Sequence, residues 1–351
     1  MSDRELNVVL VGCGGFARNY LPVYRALPVR VLACMDADLA AAREMADRLD
    51  CATATTDFSA AAGVDADYAV VSTPNFMHAE QAATLLRAGK HVLLQKPMAR
   101  LLPEAEGLRA IQRETGRTLG LYMSMLDFGL WWELREKFQR SSPLGEITQV
   151  SMRLGHTGGL AWSQQPRELW RFSKEKTGGG AFIMLGVHYI HFLRWLLGLR
   201  ITRVLAQTAN LHCARIQGED ICQFQGELGN GGFVQLSVAW NSQGEHLALY
   251  GTRGSLVYLD NELLRLHGTE PWRTSYFSYE SPGRWQTFAD VTPPRLDASD
   301  NPHNQHRAFA EAIRAGGLPP VEGIEGVWDL QVADAVYRSA ATGEWVNISY
   351  A

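Results

Sequence analysis

The chain has 351 residues, of which 46% are hydrophobic and 20% charged, and its formal net charge at pH 7 is −4. This length exceeds one typical core and favours two domains, while the composition is that of an ordinary soluble globular protein. The slight acidity argues against nucleic acid or a membrane surface as the main partner.

Cysteine usage and hydropathy both indicate a cytoplasmic protein. The cysteines are odd in number and lack paired spacing, which indicates a reducing compartment. They are Cys13, Cys34, Cys51, Cys213 and Cys222. The N-terminal apolar run breaks into glycines too soon for a signal peptide. The apolar stretch 181–199 contains His188, His191 and Arg194, so we expect a buried helix there and no membrane span.

Residues 1–124 alternate short apolar runs with helical patterns, which is typical of a doubly wound parallel sheet. The predicted strands are 7–11, 29–35, 68–72, 91–95 and 118–122. The predicted helices are 15–26, 38–49, 77–88 and 103–115. We therefore expect an α/β domain over residues 1–124.

A glycine-rich turn follows the first of these strands. The sequence VVLVGCGGFA at 8–17 runs from an apolar strand into Gly12-x-Gly14-x-x-Ala17. Gly12 permits a tight turn, Gly14 lets the backbone approach a pyrophosphate, and Ala17 allows a helix to pack closely on the strand. The helix start offers unpaired N–H groups to the phosphates. Together with Gly15 and Phe16, these residues predict a site for a nicotinamide dinucleotide.

Asp36 ends the second strand, where a carboxylate accepts hydrogen bonds from both ribose hydroxyls and repels a 2′-phosphate. No arginine lies near it before Arg43. The sequence therefore predicts NAD rather than NADP as the cofactor.

Two further strands end in conspicuous residues, at the edge where open α/β sheets bind ligands. Ser72-Thr73-Pro74-Asn75 follows one strand, and Gln95-Lys96-Pro97 follows the next. A lysine directly after buried residues and beside the expected cofactor crevice is a functional candidate. The alternative is a solvated loop lysine.

Residues 125–351 have a different pattern. The predicted elements are a helix at 128–139, a strand at 147–154, a helix at 180–197 after three glycines, several strands from 201 to 290 and a helix at 303–315. Glycine-containing turns between the strands indicate a mainly antiparallel sheet. Asn301 is the expected cap of the last helix, and His303 and His306 are expected at the surface. We therefore predict an α+β domain with a large open sheet over 125–351.

The motifs GCGGFA (12–17), TPNFMH (73–78), QKP (95–97) and GGGAFIMLGVH (178–188), in this order, resemble the Gfo/Idh/MocA family of oxidoreductases. The resemblance implies hydride exchange between NAD(P) and a carbinol carbon of a sugar, inositol or related polyol. It also implies homodimers or homotetramers formed through the exposed face of the second sheet. By this likeness Thr73, Pro74 and Asn75 contact the cofactor, with His78, Gln95 and Lys96 close to it.

The departures from the family pattern concern its catalytic set. Gln95 replaces the usual glutamate, Met184 the usual aspartate, and His191 a second frequent aspartate. This leaves Lys96 and His188 as the catalytic candidates. A lysine base needs its pKa lowered from about 10.4, and the neutral Gln95, unlike a glutamate, does not raise it. His188 is a second base or orients the substrate hydroxyl.

The remaining candidates are substrate-binding residues. These are Lys96, Tyr122, Trp162, Trp170, Arg171, Met184, His188 and His191. Aromatic faces suit a sugar ring, and arginine suits a carboxylate or phosphate. For each aromatic or arginine the alternative is packing, and for His191 it is a core histidine. We expect no metal site, because no third ligand accompanies His188 and His191 at a zinc-like spacing.

These observations predict an NAD-dependent dehydrogenase or reductase. Two alternatives remain open. One is a redox-assisted elimination or glycoside cleavage with tightly bound NAD, which needs a second base that the sequence does not identify. The other is a non-catalytic NAD-binding sensor, favoured by the loss of two family carboxylates and opposed by the retention of Lys96 and His188.

Overall fold

The computed structural model describes residues 5–141, 143–260, 263–268, 285–288 and 301–350. The chain forms two compact units. The first comprises Met1–Gly129 and Pro294–Leu330, and the second comprises Leu130–Pro293 and Gln331–Ala351. The described residues 301–330 thus belong to the first unit, whereas the sequence boundary at 124/125 assigned them to the second domain.

The first unit contains a six-stranded parallel sheet, which confirms the predicted doubly wound fold. Its strands are β1 (Leu6–Val11), β2 (Val29–Met35), β3 (Ala54–Thr55), β4 (Tyr68–Val71), β5 (His91–Gln95) and β6 (Leu119–Tyr122). Their order is β3-β2-β1-β4-β5-β6, and every pairing is parallel. The chain therefore winds outward from β1 in both directions. This reversal places the crevice for a ligand at the carboxyl ends of β1 and β4.

Helices connect these strands. They are α1 (Leu21–Ala26), α2 (Leu39–Arg48), α3 (Phe58–Gly63), α4 (Asn75–Arg87) and α5 (Leu102–Thr115). The expected helix 15–26 begins later, as a 3-10 turn at Ala17–Tyr20 that continues into α1. The short helix α3 and strand β3 were not predicted, because each is too brief to give a periodic pattern. An aspartate side chain caps α3: Asp57 accepts from the backbone of Ser59.

Helix α10 (Gln305–Ala315) belongs to the first unit and corrects two expectations. Its cap is Asn304, whose side chain accepts from the N–H groups of His306 and Arg307, and not Asn301. Asn301 instead donates its amide to the carbonyl of Asp127. His306 is buried rather than exposed. The reason is that α10 packs its first turn against the end of β6.

The second unit is built on a nine-stranded sheet. Its strands are β7 (Ile147–Gly155), β8 (Ile201–Ala209), β9 (Ile221–Leu228), β10 (Phe233–Ala239), β11 (Gly244–Gly251), β12 (Gly254–Leu259), β13 (Leu263–Gly268), β14 (Trp285–Phe288) and β15 (Val346–Asn347). The order is β14-β13-β12-β11-β7-β10-β9-β8-β15. All pairings are antiparallel except that of β7 with β10. The mainly antiparallel sheet is therefore confirmed, although parts of the predicted 201–290 region lie outside the described residues.

The remaining helices are α6 (Gly129–Ser141), α7 (Gly158–Ser163), α8 (Lys174–Thr177), α9 (Val187–Leu197) and α11 (Gly323–Thr342). By length and composition alone, the stretch Lys174–Leu197 is apolar enough to cross a membrane, but 72% of its most apolar window is buried inside the protein. Burial of this kind is what a core helix shows, so the stretch is weak evidence for a span. The cysteines are all free and buried.

Candidate active site

The glycine turn has the geometry that a dinucleotide requires. Gly12 has φ +92°, and a Cβ there would lie 2.7 Å from the backbone carbon of Ser72. Only glycine therefore fits where the turn crosses the end of β4. Gly14 and Gly15 are exposed and have no heavy atom within 4 Å of an added Cβ. This open space beside backbone N–H groups fits a pyrophosphate.

Asp36 is fixed against the same turn. Its Oδ2 accepts from the backbone N–H of Cys13 at 2.7 Å, and its Oδ1 accepts from Asp38 at 2.9 Å. The carboxylate is therefore held at the end of β2 beside the glycines, with part of its surface accessible. This position suits hydrogen bonds from ribose hydroxyls and opposes a 2′-phosphate.

His78 holds two loops of the site together. Its Nδ1 lies 2.7 Å from the carbonyl of Pro97, and its Nε2 lies 2.8 Å from the carbonyl of Thr73. Burial, the largest effect, lowers the pKa of His78, while the two carbonyls act in the opposite direction. The ring is completely buried, so its place in the structure is to connect the Thr73 and Pro97 loops. The resemblance implied that His78 lies close to the cofactor, and its complete burial favours a part in ordering the two loops of such a site.

The Thr73 loop is ordered by a second contact. The Thr73 hydroxyl donates to Oε1 of Gln81 on α4 at 2.6 Å. Pro74 precedes the first residue of α4, Asn75, which is buried. Thr73 and Pro74 are half-buried, so both remain accessible to a ligand at the end of β4.

Gln95 bridges the glycine-turn helix and the lysine loop. Its Nε2 donates to the hydroxyl of Tyr20 at 3.1 Å, and its Oε1 accepts from the backbone N–H of Lys96 at 2.9 Å. The Ser72 hydroxyl donates to the same Tyr20 hydroxyl at 3.2 Å. Tyr20 thereby joins three adjacent segments: the turn after β1 and the ends of β4 and β5. Lys96 is half-buried directly after this junction.

A buried polar cluster beneath this edge was missed by the sequence analysis. Tyr122 donates to Oδ2 of Asp127 at 2.8 Å, and the backbone of Gln305 donates to Oδ1 at 3.0 Å. Burial, the dominant cause, raises the pKa of Asp127 to about 6. Tyr122, expected to touch substrate, is buried and engaged in this cluster, which favours a structural role. A buried aspartate in the loop after β6 gives no motif by which sequence could identify it.

His306 belongs to the same region. Its ring centre is 4.0 Å from that of Tyr20 and 4.6 Å from that of Tyr122, and its Nδ1 hydrogen-bonds the Tyr24 hydroxyl at 3.0 Å. Burial lowers the pKa of His306 to about 3, so the ring is neutral at pH 7. The neutral ring packs as an aromatic side chain beneath the glycine-turn helix.

In the second unit, the triple glycine starts the helix that carries His188. Gly178 has φ +88° and ends α8. A Cβ on Gly179 would overlap the hydroxyl of Tyr337, and one on Gly180 would overlap the backbone of Glu219. These close approaches explain why three consecutive glycines occur here. They let Glu219 reach the helix start, where its Oε1 accepts from the N–H of Phe182 at 2.9 Å.

The helix begins with a π-helical segment, Phe182–Gly186, that continues into α9. Such widened turns occur often at functional sites. Met184 and His188 are half-buried and share a face, whereas His191 is completely buried with its Nδ1 3.0 Å from a guanidinium nitrogen of Arg194. The structure therefore keeps Met184 and His188 accessible and favours the core-histidine alternative for His191.

The aromatic candidates lie together in the second unit. Arg171 contacts the rings of both Trp162 and Trp170, and Trp162 packs edge-on against Trp240 at 5.3 Å.

In the part of the chain that the structure describes, no group of three or more His, Cys, Asp or Glu side chains is arranged to hold a metal ion.

A parallel sheet with a glycine turn at its reversal point and an acidic residue at the end of β2 defines a dinucleotide-binding oxidoreductase. Comparison with known proteins agrees. The family model for oxidoreductases with an NAD-binding Rossmann fold matches residues 6–123, and the model for a GFO/IDH/MocA C-terminal domain matches residues 134–257. The chain belongs to the Gfo/Idh/MocA family, and NAD is its cofactor.

Several proteins that are similar in sequence to this chain are named as reductases or dehydrogenases of sugars. The 1,5-anhydro-D-fructose reductase of Ensifer adhaerens is 27% identical over 81% of this chain and 80% of its own length. The levoglucosan dehydrogenase of Pseudarthrobacter phenanthrenivorans is 24% identical over 98% of each chain. A solved structure of levoglucosan dehydrogenase with NADH superimposes with a TM-score of 0.84, at 21% identity over 99% of this chain and 100% of that one. The protein is thus an oxidoreductase of a family that acts on sugars and polyols.

Proposed function

We propose that this protein oxidises a secondary alcohol of a sugar, inositol or related polyol, or reduces the matching ketone, with Lys96 and His188 handling the hydroxyl proton. The observation that carries the proposal is the junction at Gln95, which fixes the backbone of Lys96 at the carboxyl edge of the parallel sheet beside the glycine turn. The names of the relatives, a sugar reductase and a sugar dehydrogenase, support the substrate class.

NAD fits the residues present. Gly12, Gly14 and Gly15 would hold the pyrophosphate, Asp36 the ribose, and Thr73 and Pro74 would line the neighbouring loop. When bound, NAD supplies the acceptor for the hydride that leaves the carbinol carbon. The anchored carboxylate of Asp36 supports a preference for NAD over NADP, because it would repel a 2′-phosphate.

Lys96 acts as the base for the hydroxyl proton. A lysine must be neutral to accept a proton, and a neighbouring carboxylate would oppose that state. A glutamate would present two acceptors and a negative charge, whereas Gln95 accepts from the backbone N–H of Lys96 with its Oε1 and donates to the Tyr20 hydroxyl with its neutral Nε2 amide. The amide therefore positions Lys96 without raising its pKa.

His188 is the second residue that we assign to this proton, either as an additional base or as the group that orients the hydroxyl. It is half-buried on the accessible face of its helix, next to Met184 rather than an aspartate. Because Met184 has no charge or titratable group where the family pattern has an aspartate, His188 is the residue of this face that we assign to the proton transfer.

Two other functions remain as alternatives. A redox-assisted elimination needs a second base, and the sensor needs no turnover at all. Retention of the complete glycine turn together with Lys96 and His188 favours the dehydrogenase. The cytoplasmic location and a homodimer or homotetramer formed through the second sheet remain predictions.

A substrate panel tests the proposal. Purified protein is supplied with NAD and with sugars, inositols and their acids, while the absorbance of reduced nicotinamide is followed. Accumulation of NADH with one oxidised product per NADH supports the dehydrogenase. Product formation without NADH accumulation indicates the elimination. No product with any substrate, while NAD binds, indicates the sensor.

A further inference from the structure

Aromatic rings hold a cation in the second unit. Arg171 lies in the turn Trp170–Phe172, and its guanidinium carbon is 4.7 Å from the ring centre of Trp162 and 5.2 Å from that of Trp170. A guanidinium that rests on aromatic faces keeps its N–H groups in its own plane, where they suit a planar acceptor. The two indole rings therefore hold the guanidinium of Arg171 with its planar set of N–H donors available for a hydrogen-bond acceptor.

Among the described residues, no hydrogen-bond acceptor contacts the guanidinium group of Arg171. The buried Nε–H of Arg171 has no hydrogen-bond partner, and no carboxylate pairs with the guanidinium. The nearest acidic residue in sequence, Glu168, forms its ion pair with Arg215 at 2.7 Å. Burial and then the charge of Arg167 lower the pKa of Arg171, so its surroundings disfavour a cation that has no counter-ion.

A second donor in the same cluster lacks an acceptor. Trp240 is completely buried, lies 5.3 Å from Trp162 at 80°, and its Nε1–H has no partner among the residues that the structure describes. Indole nitrogen and guanidinium are donors only. Two donors of this cluster, the Nε–H of Arg171 and the Nε1–H of Trp240, thus have no acceptor among the described residues.

One segment of the chain forms hydrogen bonds both to the turn that contains Arg171 and to the helix that carries His188. The backbone N–H of Gln217 donates to the carbonyl of Phe172 at 2.8 Å, and Glu219, two residues on, accepts from Phe182 at the start of that helix. One segment, 217–219, therefore anchors both the arginine turn and the helix with Met184 and His188.

We propose that Arg171 binds an oxyanion of the substrate, so that the sugar or polyol carries a carboxylate or a phosphate. The inference rests on the proposed function, because it assigns the substrate class of that site. A carboxylate or phosphate accepts two parallel N–H bonds from one guanidinium and supplies the missing counter-charge. The hydroxyl groups of a neutral polyol can accept such bonds, but they supply no counter-charge.

The test compares matched probes with wild type, Arg171→Gln and Arg171→Lys. The neutral probes are D-glucose and sorbitol, the carboxylates are D-gluconate and D-glucuronate, and the phosphate is glucose 6-phosphate. We expect at least one anionic probe to be oxidised with a kcat/KM at least about tenfold above its neutral counterpart. Arg171→Gln should raise KM for that probe about tenfold or more with little change in kcat, and Arg171→Lys should recover part of the loss. The anionic probe with the higher kcat/KM shows whether the substrate carries a carboxylate or a phosphate.

Arg167→Gln is the matched control, since it removes a neighbouring, exposed charge that has no aromatic contact. An equal loss in this variant would indicate general electrostatic attraction and would overturn the assignment to Arg171. Equal or better oxidation of the neutral probes would also overturn it, while leaving the dehydrogenase function intact. If NAD binds but neither these probes nor the wider panel of sugars, inositols and acids is oxidised, the proposed function fails. Calorimetry of gluconate and glucose 6-phosphate with the NAD complex then decides: binding lost in Arg171→Gln supports the oxyanion site, and no binding to wild type overturns it.

Discussion

The side-chain amide of Gln95 donates to the hydroxyl of Tyr20 at 3.1 Å, and the other end of the same amide holds the backbone N–H of Lys96. Tyr20 follows the glycine turn by a few residues, so the two parts of the site are connected by one buried hydroxyl. Burial and charge repulsion from Asp127 both raise the pKa of Tyr20, with burial the larger cause. The hydroxyl is therefore protonated at pH 7.

Removal of this hydroxyl should affect catalysis as well as stability. Tyr20→Phe leaves the amide of Gln95 without its partner, which should lower the free energy of unfolding by about 1–2 kcal/mol. Because Lys96 loses its fixed position, kcat should fall by about tenfold while KM for NAD changes little. The control is Tyr24→Phe, which removes a buried hydroxyl that contacts His306 but not Gln95. If both variants lose stability and neither loses kcat, Tyr20 has only a structural role.

Gln95→Glu restores the carboxylate of the family pattern and should shift the pH dependence. A negative charge next to Lys96 favours the ammonium form, so the pKa of Lys96 should rise. The rise of kcat/KM with pH should then move to higher pH than in wild type, by about one unit. Steady-state rates measured across the pH range test this. An unchanged profile would argue against Lys96 as the titrating base.

Gly180 should tolerate no side chain. In Gly180→Ala the new Cβ would overlap the backbone of Glu219, which cannot move aside as a flexible side chain does. We expect the free energy of unfolding to fall by about 2–3 kcal/mol. Gly107→Ala is the control, since Gly107 lies within α5 with no atom within 4 Å of an added Cβ. That variant should gain about 0.5–1 kcal/mol, because alanine is the better helix former. Chemical denaturation of both variants tests whether Gly180→Ala lowers the free energy of unfolding and Gly107→Ala raises it.

His306 and Asp127 should contribute opposite signs to the pH dependence of stability. The pKa of His306 is lowered to about 3 by burial, so the unfolded chain takes up a proton first as the pH falls below about 6.5, and stability is lost. The pKa of Asp127 is raised to about 6, so the folded state takes up a proton between about pH 6 and 4, and stability is gained.

His306→Gln isolates the first contribution. Between pH 7 and pH 4.5 the variant should retain on the order of 2 kcal/mol more of its unfolding free energy than wild type does. For each protein, the change in unfolding free energy between the two pH values is compared. Absolute stabilities are not compared, because the substitution also changes the packing. His212→Gln, at an exposed position, should leave the wild-type change unaltered. Identical pH dependence in His306→Gln and wild type would contradict a neutral, buried His306.

The sequence predicted the parallel sheet well because its strands are buried on both faces and read as continuous apolar runs, as in Val8–Val11. It placed the glycine turn, Asp36 and Lys96 because each follows such a strand directly. Residues whose roles depend on distant partners were harder. His306 bonds Tyr24, 282 residues before it, and Asp127 accepts from Gln305, 178 residues after it. No local pattern marks either residue as buried.

His78 and His191 show the same limit within known motifs. Both were named from a resemblance, yet the two ring nitrogens of His78 lie against two backbone carbonyls, and His191 lies beside Arg194 in the interior. A motif identifies which residues matter without saying whether each touches a ligand or supports one that does. The contacts of Tyr20 and Gln305 had no sequence signal at all, since tyrosine and glutamine are common at half-buried positions.

The most direct test of the account compares turnover with cofactor affinity in Lys96→Ala. For a substrate oxidised by wild type, the variant should lose about 10²- to 10⁴-fold in kcat, the usual contribution of a positioned base. Its Kd for NAD should stay within about threefold of wild type, because the glycine turn and Asp36 are untouched. Lys174→Ala, which removes an exposed lysine, should change neither quantity. Wild-type turnover in Lys96→Ala would contradict the assignment of Lys96 as the base.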